Sequence, residues 1–421
     1  MAFVKSIFGN IEQNRITEFL RKQGIPRERI DKAKEKHLLL EELLDDNFIT
    51  EEALNEFLYS ELMYGHRRLI RIYELKAARK IRKIDAWDNL LKIYGRSNLD
   101  FNRIVTTNMV GEEKLRVAAI KSEEDNGILK RVEILFVFNM IKGVRKKQEF
   151  ENVYSYIPVV FDFKKRTLML RVWNREQGIE ANTPNDQLGY VFGELEKYLE
   201  FEIKPISNNP QHVLYLMSKD LFEDFFNQLP NINDVEGKRA CLDDITNQML
   251  TGILLKNAEE KGQKITMNPE VINVQEEVYK LLQQVALFDY LKDNEITSLL
   301  KNTDKYVSRI RFNDKDNLSA SLTGEKGVRC IYDAKTFMCI RNSLDLVARI
   351  VSIVVTFVKD KKHMHVKYES VDSRFLNIHI LHEKYYTQEE FEKIWELYKT
   401  YEAKSITGDG AVYTENNAKA M

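Results

Sequence analysis

Basic residues concentrate in one short segment near the N-terminus, and this is the strongest chemical signal in the sequence. On a helix, residues 66–83 would carry an apolar stripe and, beside it, a row of basic side chains. Such a row can follow a phosphate backbone, because each contact releases a counterion and the arginine fork suits phosphate oxygens. The segment predicts contact with DNA or RNA through the following residues: Arg67, Arg68, Arg71, Lys76, Arg79, Arg82 and Lys83.

Two further basic clusters lie at predicted turns. Arg145, Lys146 and Lys147 follow an apolar run and are predicted as an auxiliary contact, and Lys164–Arg166 occupies the next turn. In an antiparallel meander, successive turns lie at opposite ends of the sheet, here about 20–30 Å apart. A long duplex or a single strand could bridge the two clusters, whereas a mononucleotide could not.

Acidic blocks alternate with the basic ones. Residues 37–62 contain eight acids and no lysine or arginine, and residues 186–236 contain ten acids against three basic residues. An alternative interpretation is therefore that the block 37–62 pairs with the basic segment inside one helical domain. We expect the block 186–236 to face a protein partner or the second copy of a dimer.

A metal-dependent nuclease is a further alternative. Glu133 and Asp162 lie on or after strand-like runs, with Lys164 close to Asp162. Acids at the ends of adjacent strands, with a lysine nearby, can hold Mg²⁺ for phosphodiester cleavage. The same residues are also typical of an ordinary hairpin turn.

Histidines near the C-terminus give a weaker signal. His363 and His365 share a face of a predicted strand, and either His379 or His382 could join them. Three imidazoles can bind a metal, but no Asp, Glu or Cys spacing supports such a site. We therefore predict no metal, no cofactor and no catalytic residue.

The three cysteines, Cys241, Cys330 and Cys339, form no CxxC pair, which argues against a zinc knuckle or a disulfide framework. Cys330 and Cys339 lie in apolar, strand-like surroundings and are expected to be buried structural residues. The sequence also lacks a phosphate-binding GxxxxGK[ST] loop and an HExxH motif.

The composition excludes several classes of protein. The 421 residues include 64 Lys+Arg and 65 Asp+Glu, and 43% are hydrophobic, which argues against a disordered chain and against indiscriminate polyanion binding. The longest apolar runs are shorter than half of the roughly 20 residues that a membrane helix needs. These features, with the few cysteines, predict a cytoplasmic protein without membrane contact.

The hydrophobic periodicity predicts an α+β fold, in which several strands follow one another in the sequence instead of alternating singly with helices. Residues 1–96 form a predicted helical domain that contains the basic helix. Residues 100–292 are predicted as an antiparallel meander with helices, and residues 295–402 as a second antiparallel sheet with a closing helix. Residues 403–421 form a predicted flexible tail.

These features favour a non-enzymatic protein that binds nucleic acid, in a bacterial antiviral defence or mobile-element system. The second hypothesis is a scaffold subunit of a multi-protein complex, in which the charged blocks select the partner. The third is the nuclease centred on Glu133, Asp162 and Lys164.

Overall fold

The computed structural model describes most of the chain: residues 5–95, 98–109, 113–144, 149–173, 183–230, 232–238, 274–300, 303–313, 319–324, 329–359, 362–381 and 386–407, with positions 241, 244, 245 and 248. The chain divides into two compact units. Unit 1 comprises Met1–Pro210 and Lys367–Lys399, and unit 2 comprises Gln211–Val366 and Thr400–Met421. The predicted division at residues 96–100 and 292–295 stays a prediction.

Helices and antiparallel strands both occur throughout, so the predicted α+β class is confirmed. The helices are α1 (Lys5–Phe8), α2 (Gln13–Lys22), α3 (Arg27–Lys32), α4 (Lys36–Asp45), α5 (Glu51–Met63), α6 (Asp88–Ile93), α7 (Pro184–Tyr198), α8 (Pro210–Phe226), α9 (Ile232–Gly237), α10 (Val274–Asp293), α11 (Ile296–Leu300), α12 (Lys335–Val347) and α13 (Gln388–Thr407). Among the described helices, none is both long and apolar enough to cross a bilayer.

The strands are β1 (Leu69–Ala77), β2 (Phe101–Asn102), β3 (Leu115–Asp125), β4 (Ile128–Val144), β5 (Glu149–Asp162), β6 (Thr167–Val172), β7 (Glu202–Lys204), β8 (Lys305–Asn313), β9 (Ser319–Thr323), β10 (Ser352–Lys359), β11 (Lys362–Glu369) and β12 (Phe375–Ile380). Two short 3₁₀ turns, Lys80–Arg82 and Ile84–Trp87, follow β1.

The sheet of unit 1 contains the predicted meander. Its strand order is β2-β3-β4-β5-β6-β1-β12, with antiparallel neighbours, and β7 pairs with the end of β1. Asn126 and Gly127, with φ of 54° and 74°, make the tight turn between β3 and β4. Positive φ at both central residues is typical of the turn whose twist matches a hairpin.

Helices cover both faces of this sheet. On one face α7 contacts β6, and Trp87 and Leu90 pack against sheet residues such as Phe136 and Phe161. On the other face α5 contacts β4 and β5. Inner strands of a sheet covered on both sides are buried on both faces.

The predicted helix over residues 66–83 is wrong, because the segment forms β1 and the first 3₁₀ turn. β1 lies between β6 and β12, and its first five residues are all buried. A strand that is buried on both faces is almost continuously apolar, so its apolar positions also match a helical spacing. Residues 1–96 are consequently not an all-helical domain.

Side chains cap the starts of two helices. The hydroxyl of Thr50 accepts from the backbone N–H of Ala53 at 3.1 Å. The capping box of α13 is present, since Glu390 N donates to Thr387 Oγ1 at 3.2 Å and Thr387 N donates to Glu390 Oε2 at 2.9 Å. These side chains satisfy N–H groups that the first helical turn leaves unpaired.

Unit 2 contains the strands β8, β9 and β10 and many buried apolar residues. β8 lies between β10 and β9, and all neighbours are antiparallel. Ile310 and Ile353 are register partners and are buried, and an aromatic cluster of α8, α12 and the loop before α12 is buried too. In that cluster the Phe222 ring lies 5.2 Å from Tyr332 and 5.4 Å from Phe337.

Candidate functional site

Two of the predicted basic residues lie inside unit 1. Arg67 is fully buried and donates from Nη1 to the carbonyl of Asn10 at 3.1 Å, with Trp173 5.8 Å from its guanidinium. Arg71 is 8% exposed, donates to Asn377 and Asn185 at 3.1 and 2.7 Å, and lies 4.2 Å from the Phe375 ring centre. Both guanidiniums contact the protein, so they are not available to a polyanion.

The remaining basic residues of this segment have mixed environments. Lys76 pairs with Glu202 at 3.2 Å, and Arg82 donates to the Leu129 carbonyl at 3.4 Å. Arg79 and Lys83 are exposed, and no carboxylate pairs with them among the described residues. Of the predicted row, these two are the most accessible to a ligand.

The ion pairs that the described part of the chain shows for the acidic block 37–62 join it to residues outside the basic segment. Glu42 and Asp46 pair with Arg29 of α3, Glu56 pairs with Lys121 of β3, and Glu61 pairs with Arg15 of α2. Within the described residues, the ion pairs of this block therefore hold the N-terminal helices together and connect one of them to the sheet.

The predicted auxiliary contact at Arg145, Lys146 and Lys147 lies outside the described residues. The strand β5, which connects that turn to Lys164–Arg166, has 14 residues. At 3.3 to 3.4 Å per residue it spans about 45 Å. The two ends of β5 are therefore farther apart than the roughly 20–30 Å that the sequence indicates.

Arg68 belongs to a half-buried group at the start of β1. Its Nη2 lies 2.6 Å from Nδ1 of His66, whose Nε2 lies 2.7 Å from a carboxylate oxygen of Glu12. The imidazole stacks on Trp173 at 4.6 Å. Burial and the charge of Arg68 lower the pKa of His66 to about 4, so this imidazole is neutral at pH 7.

The lowered pKa of His66 predicts a pH dependence. In the unfolded chain the imidazole has an ordinary pKa of about 6.5, so between pH 6.5 and 4 the unfolded state binds more protons. The stability that His66 contributes is therefore complete above that window and is lost as the pH falls. We expect His66→Gln to destabilise the protein by about 1–2 kcal/mol at pH 7, through lost stacking and packing.

Urea denaturation of the wild type and His66→Gln at pH 7 and at pH 5 measures this effect. The difference between the two proteins should be smaller at pH 5. His379, whose pKa burial also lowers to about 4, is present in both proteins, so its contribution cancels. An equal difference at both pH values would contradict the assignment to His66.

The proposed nuclease residues are already engaged with the protein. Asp162 Oδ1 accepts from the backbone N–H groups of Lys164 and Lys165 at 3.1 and 2.8 Å, as in a hairpin turn. Glu133 accepts from the guanidinium of Arg131 at 2.6 and 2.8 Å and from the hydroxyl of Tyr59 at 2.6 Å. The nuclease stays a prediction, and this geometry gives it no added support.

The histidine and cysteine predictions have separate outcomes. No group of three or more metal-ligating side chains forms within the described residues, which exclude His382.

Cys330 is buried as expected, and burial raises the pKa of its thiol. The expectation for Cys339 is wrong, because this residue is exposed at the surface of α12. Helical spacing, rather than strand alternation, places it there.

A second set of charged residues lies together on one face of the unit 2 sheet. The register pairs Arg309 with Thr323 and Arg311 with Ser321 on one side, and with Val354 and Ser352 on the other. Directly paired residues of antiparallel strands point to the same face. The arginines are two residues apart on β8, so their Cα atoms are separated by roughly 7 Å.

Imidazoles extend this face toward β11. Tyr306 is the register partner of Thr356, because a bulge in β8 shifts the pairing by one residue. The hydroxyl of Tyr306 lies 3.2 Å from Nδ1 of His363, and that of Thr356 lies 2.8 Å from Nδ1 of His365. We refer to the following residues as the polar face: Tyr306, Arg309, Arg311, Ser321, Thr323, Ser352, Thr356, His363 and His365.

The polar face is positive and partly open to solvent. Ser321, Thr323 and His363 are exposed, while Arg309 and Arg311 are half-buried. Nε of Arg309 is buried and has no hydrogen-bond partner, and its guanidinium has no carboxylate neighbour in the described part of the chain. A half-buried guanidinium with an unsatisfied N–H donor can bind an anion.

The sequence contains a local signal for this face. Residues 309–312 read Arg-Ile-Arg-Phe, which is the alternation of a strand with one basic and one apolar face. The residues of β9, β10 and β11 that share this face are brought there by strand pairing between distant segments, which a local sequence pattern does not show.

No known family model matches the sequence, and no curated protein matches it.

Proposed function

We propose that the protein binds single-stranded nucleic acid on the polar face of unit 2. The observation that carries this proposal is the pair Arg309 and Arg311 on one sheet face, beside the exposed Ser321 and Thr323. Arginine and hydroxyl side chains are common phosphate ligands, and an exposed imidazole such as His363 can stack on a base. Open antiparallel sheets present such groups to unpaired strands.

The number of cations determines how binding should depend on salt. Two or three phosphate contacts on a single strand give a slope of about −1.4 to −2.1 in log K against log salt. Between 50 and 200 mM salt, affinity should therefore fall by about 7- to 18-fold. The proposed face thus predicts moderate, salt-sensitive binding with little dependence on base sequence.

Fluorescence anisotropy with a labelled oligothymidine and an oligouridine of about 20 nucleotides tests the proposal. We expect Arg309→Ala combined with Arg311→Ala to weaken binding at 50 mM salt by at least about tenfold, and to reduce the salt slope by about 1.4. The matched control is Arg79→Ala combined with Lys83→Ala, which removes two exposed cations of unit 1. It should leave affinity within about twofold.

Three outcomes are informative. Absence of wild-type binding at 50 mM salt overturns the proposal, as does unchanged binding by the Arg309/Arg311 variant when circular dichroism shows that it is folded. Loss of binding in the Arg79/Lys83 variant instead would move the interface to unit 1, as the sequence predicts. Arg309→Lys with Arg311→Lys keeps the charge, so the salt slope should persist.

A further inference from the structure

Two histidines of β11 lie side by side on the polar face. The ring centres of His363 and His365 are 6.4 Å apart, with 43° between the ring planes. The two residues are separated by one position on the strand, so their side chains point to the same face. His363 is exposed and His365 is half-buried. A nucleic-acid strand bound on the polar face therefore meets two neighbouring imidazoles.

Buried hydroxyl groups orient both rings. The hydroxyl of Tyr306 lies 3.2 Å from Nδ1 of His363, and that of Thr356 lies 2.8 Å from Nδ1 of His365. Tyr306 and Thr356 are buried. A hydroxyl both donates and accepts, so it can bond Nδ1 of a neutral or of a protonated ring. Each imidazole is thus held through Nδ1, and Nε2 is the nitrogen through which it can exchange a proton with a ligand.

Arg309 lies one residue pair away from this group. It pairs with Val354 of β10, whereas Tyr306 pairs with Thr356, two positions farther along the same strand. Residues two positions apart on a strand share a face and are separated by roughly 7 Å. An arginine side chain extends over such a distance, and its guanidinium bonds phosphate oxygens. The guanidinium and the two imidazoles are therefore placed to act on one phosphodiester.

We propose that the polar face cleaves single-stranded RNA, with His363 and His365 as the general acid–base pair. The 2′-oxygen of a ribose forms a bond to the adjacent phosphorus, and the bond from phosphorus to the 5′-oxygen of the next nucleotide breaks. One imidazole accepts the proton of the 2′-hydroxyl, and the other, as imidazolium, donates a proton to the leaving 5′-oxygen. Arg309 binds the non-bridging oxygens, where negative charge develops.

The products are a 2′,3′-cyclic phosphate and a 5′-hydroxyl, and proton exchange with water returns both rings to their starting states. Histidine suits this chemistry because its charge ordinarily changes between pH 5 and 8, so both forms coexist near neutral pH. The inference rests on the proposed function, because the RNA must bind before it is cleaved. It adds an activity and restricts the substrate of that activity to RNA.

Incubation of the full chain with the labelled oligouridine in the presence of EDTA tests the inference. The protein is in saturating excess, so that a change in affinity does not alter the rate. We expect cleavage, with 2′,3′-cyclic phosphate ends identified by mass spectrometry. His363→Gln and His365→Gln should each slow cleavage by at least about 100-fold. The matched control is His37→Gln, which changes a histidine of unit 1 that stacks on Phe8, and it should cleave like the wild type.

Two further oligonucleotides test the step without any variant. Oligothymidine and 2′-O-methyl oligouridine lack the attacking hydroxyl, so the wild type should bind both and leave them intact. Oligouridine that is bound but not cut overturns the inference and leaves the proposed function standing, whereas absence of binding overturns both. Cleavage of the 2′-O-methyl strand, loss of cleavage in EDTA, or an unchanged rate in both histidine variants also overturns the inference.

Discussion

Arg131→Ala is expected to lower the free energy of unfolding by about 3–5 kcal/mol, because it leaves two buried carboxylates without their cation. The guanidinium lies 2.6 Å from Glu133 and 3.5 Å from Asp162, and the three side chains are 16%, 17% and 9% exposed. Burial disfavours the charged arginine, but its neighbours together, Glu133 foremost, outweigh this effect and raise the pKa of Arg131. The charge is therefore stabilised by its carboxylate neighbours.

Urea denaturation followed by tryptophan fluorescence measures this loss. The three tryptophans, at positions 87, 173 and 395, all belong to unit 1, so the signal reports on the unit that contains Arg131. Lys130→Ala is the matched control, because Lys130 forms only an exposed pair with Asp125 and should contribute less than about 1 kcal/mol. A loss of less than about 1 kcal/mol in Arg131→Ala would contradict the prediction.

Trp87→Ala is expected to cost about 3–5 kcal/mol by opening a large cavity in the core of unit 1. The indole is fully buried, donates to the carbonyl of Ile81 at 2.8 Å, and meets Phe161 edge-on at 5.3 Å. The bond to Ile81 also fixes the 3₁₀ turn beside Arg79 and Lys83. The variant should therefore loosen this segment as well as the core.

Thermal unfolding followed by circular dichroism checks the Trp87 prediction. Trp87→Phe retains most of the apolar volume but loses the hydrogen bond, so its cost should be about 1–2 kcal/mol. Ile84→Ala, in the same segment but 46% exposed, should change stability by less than about 1 kcal/mol. Similar effects for Trp87→Ala and Ile84→Ala would show that the indole is not a core anchor.

Local sequence signals predict the local parts of this fold. Thr50 and the pair Thr387 and Glu390 identify helix starts, because the capping bonds join residues only three positions apart. The meander from β3 to β6 can also be predicted from the sequence, because its strands are consecutive in the chain and are separated by only a few residues. β1 could not be recognised as a strand, because its partner β12 lies about 300 residues away and is invisible in a local window.

For the candidate site, too, local patterns can be read from the sequence, whereas contacts between distant segments cannot. The buried arginines Arg67 and Arg71 cannot be told from surface arginines by type, because their partners, among them Asn10 and Asn377, come from distant segments. Arg309 and Arg311 alternate visibly with apolar residues. Their common face with Ser321 and His363 depends on register and on a bulge in β8.

The position of β12 has a consequence for how the chain folds during synthesis. The tight hairpins of β3 to β6 need only local loop closure and can form as soon as they emerge. Arg71 of β1 and Asn377 of β12 are 306 positions apart, and all of Gln211–Val366 is made between the two parts of unit 1. The edge of β1 that will pair with β12 therefore stays unpaired while Gln211–Val366 is synthesised. During that interval it is open to mispairing.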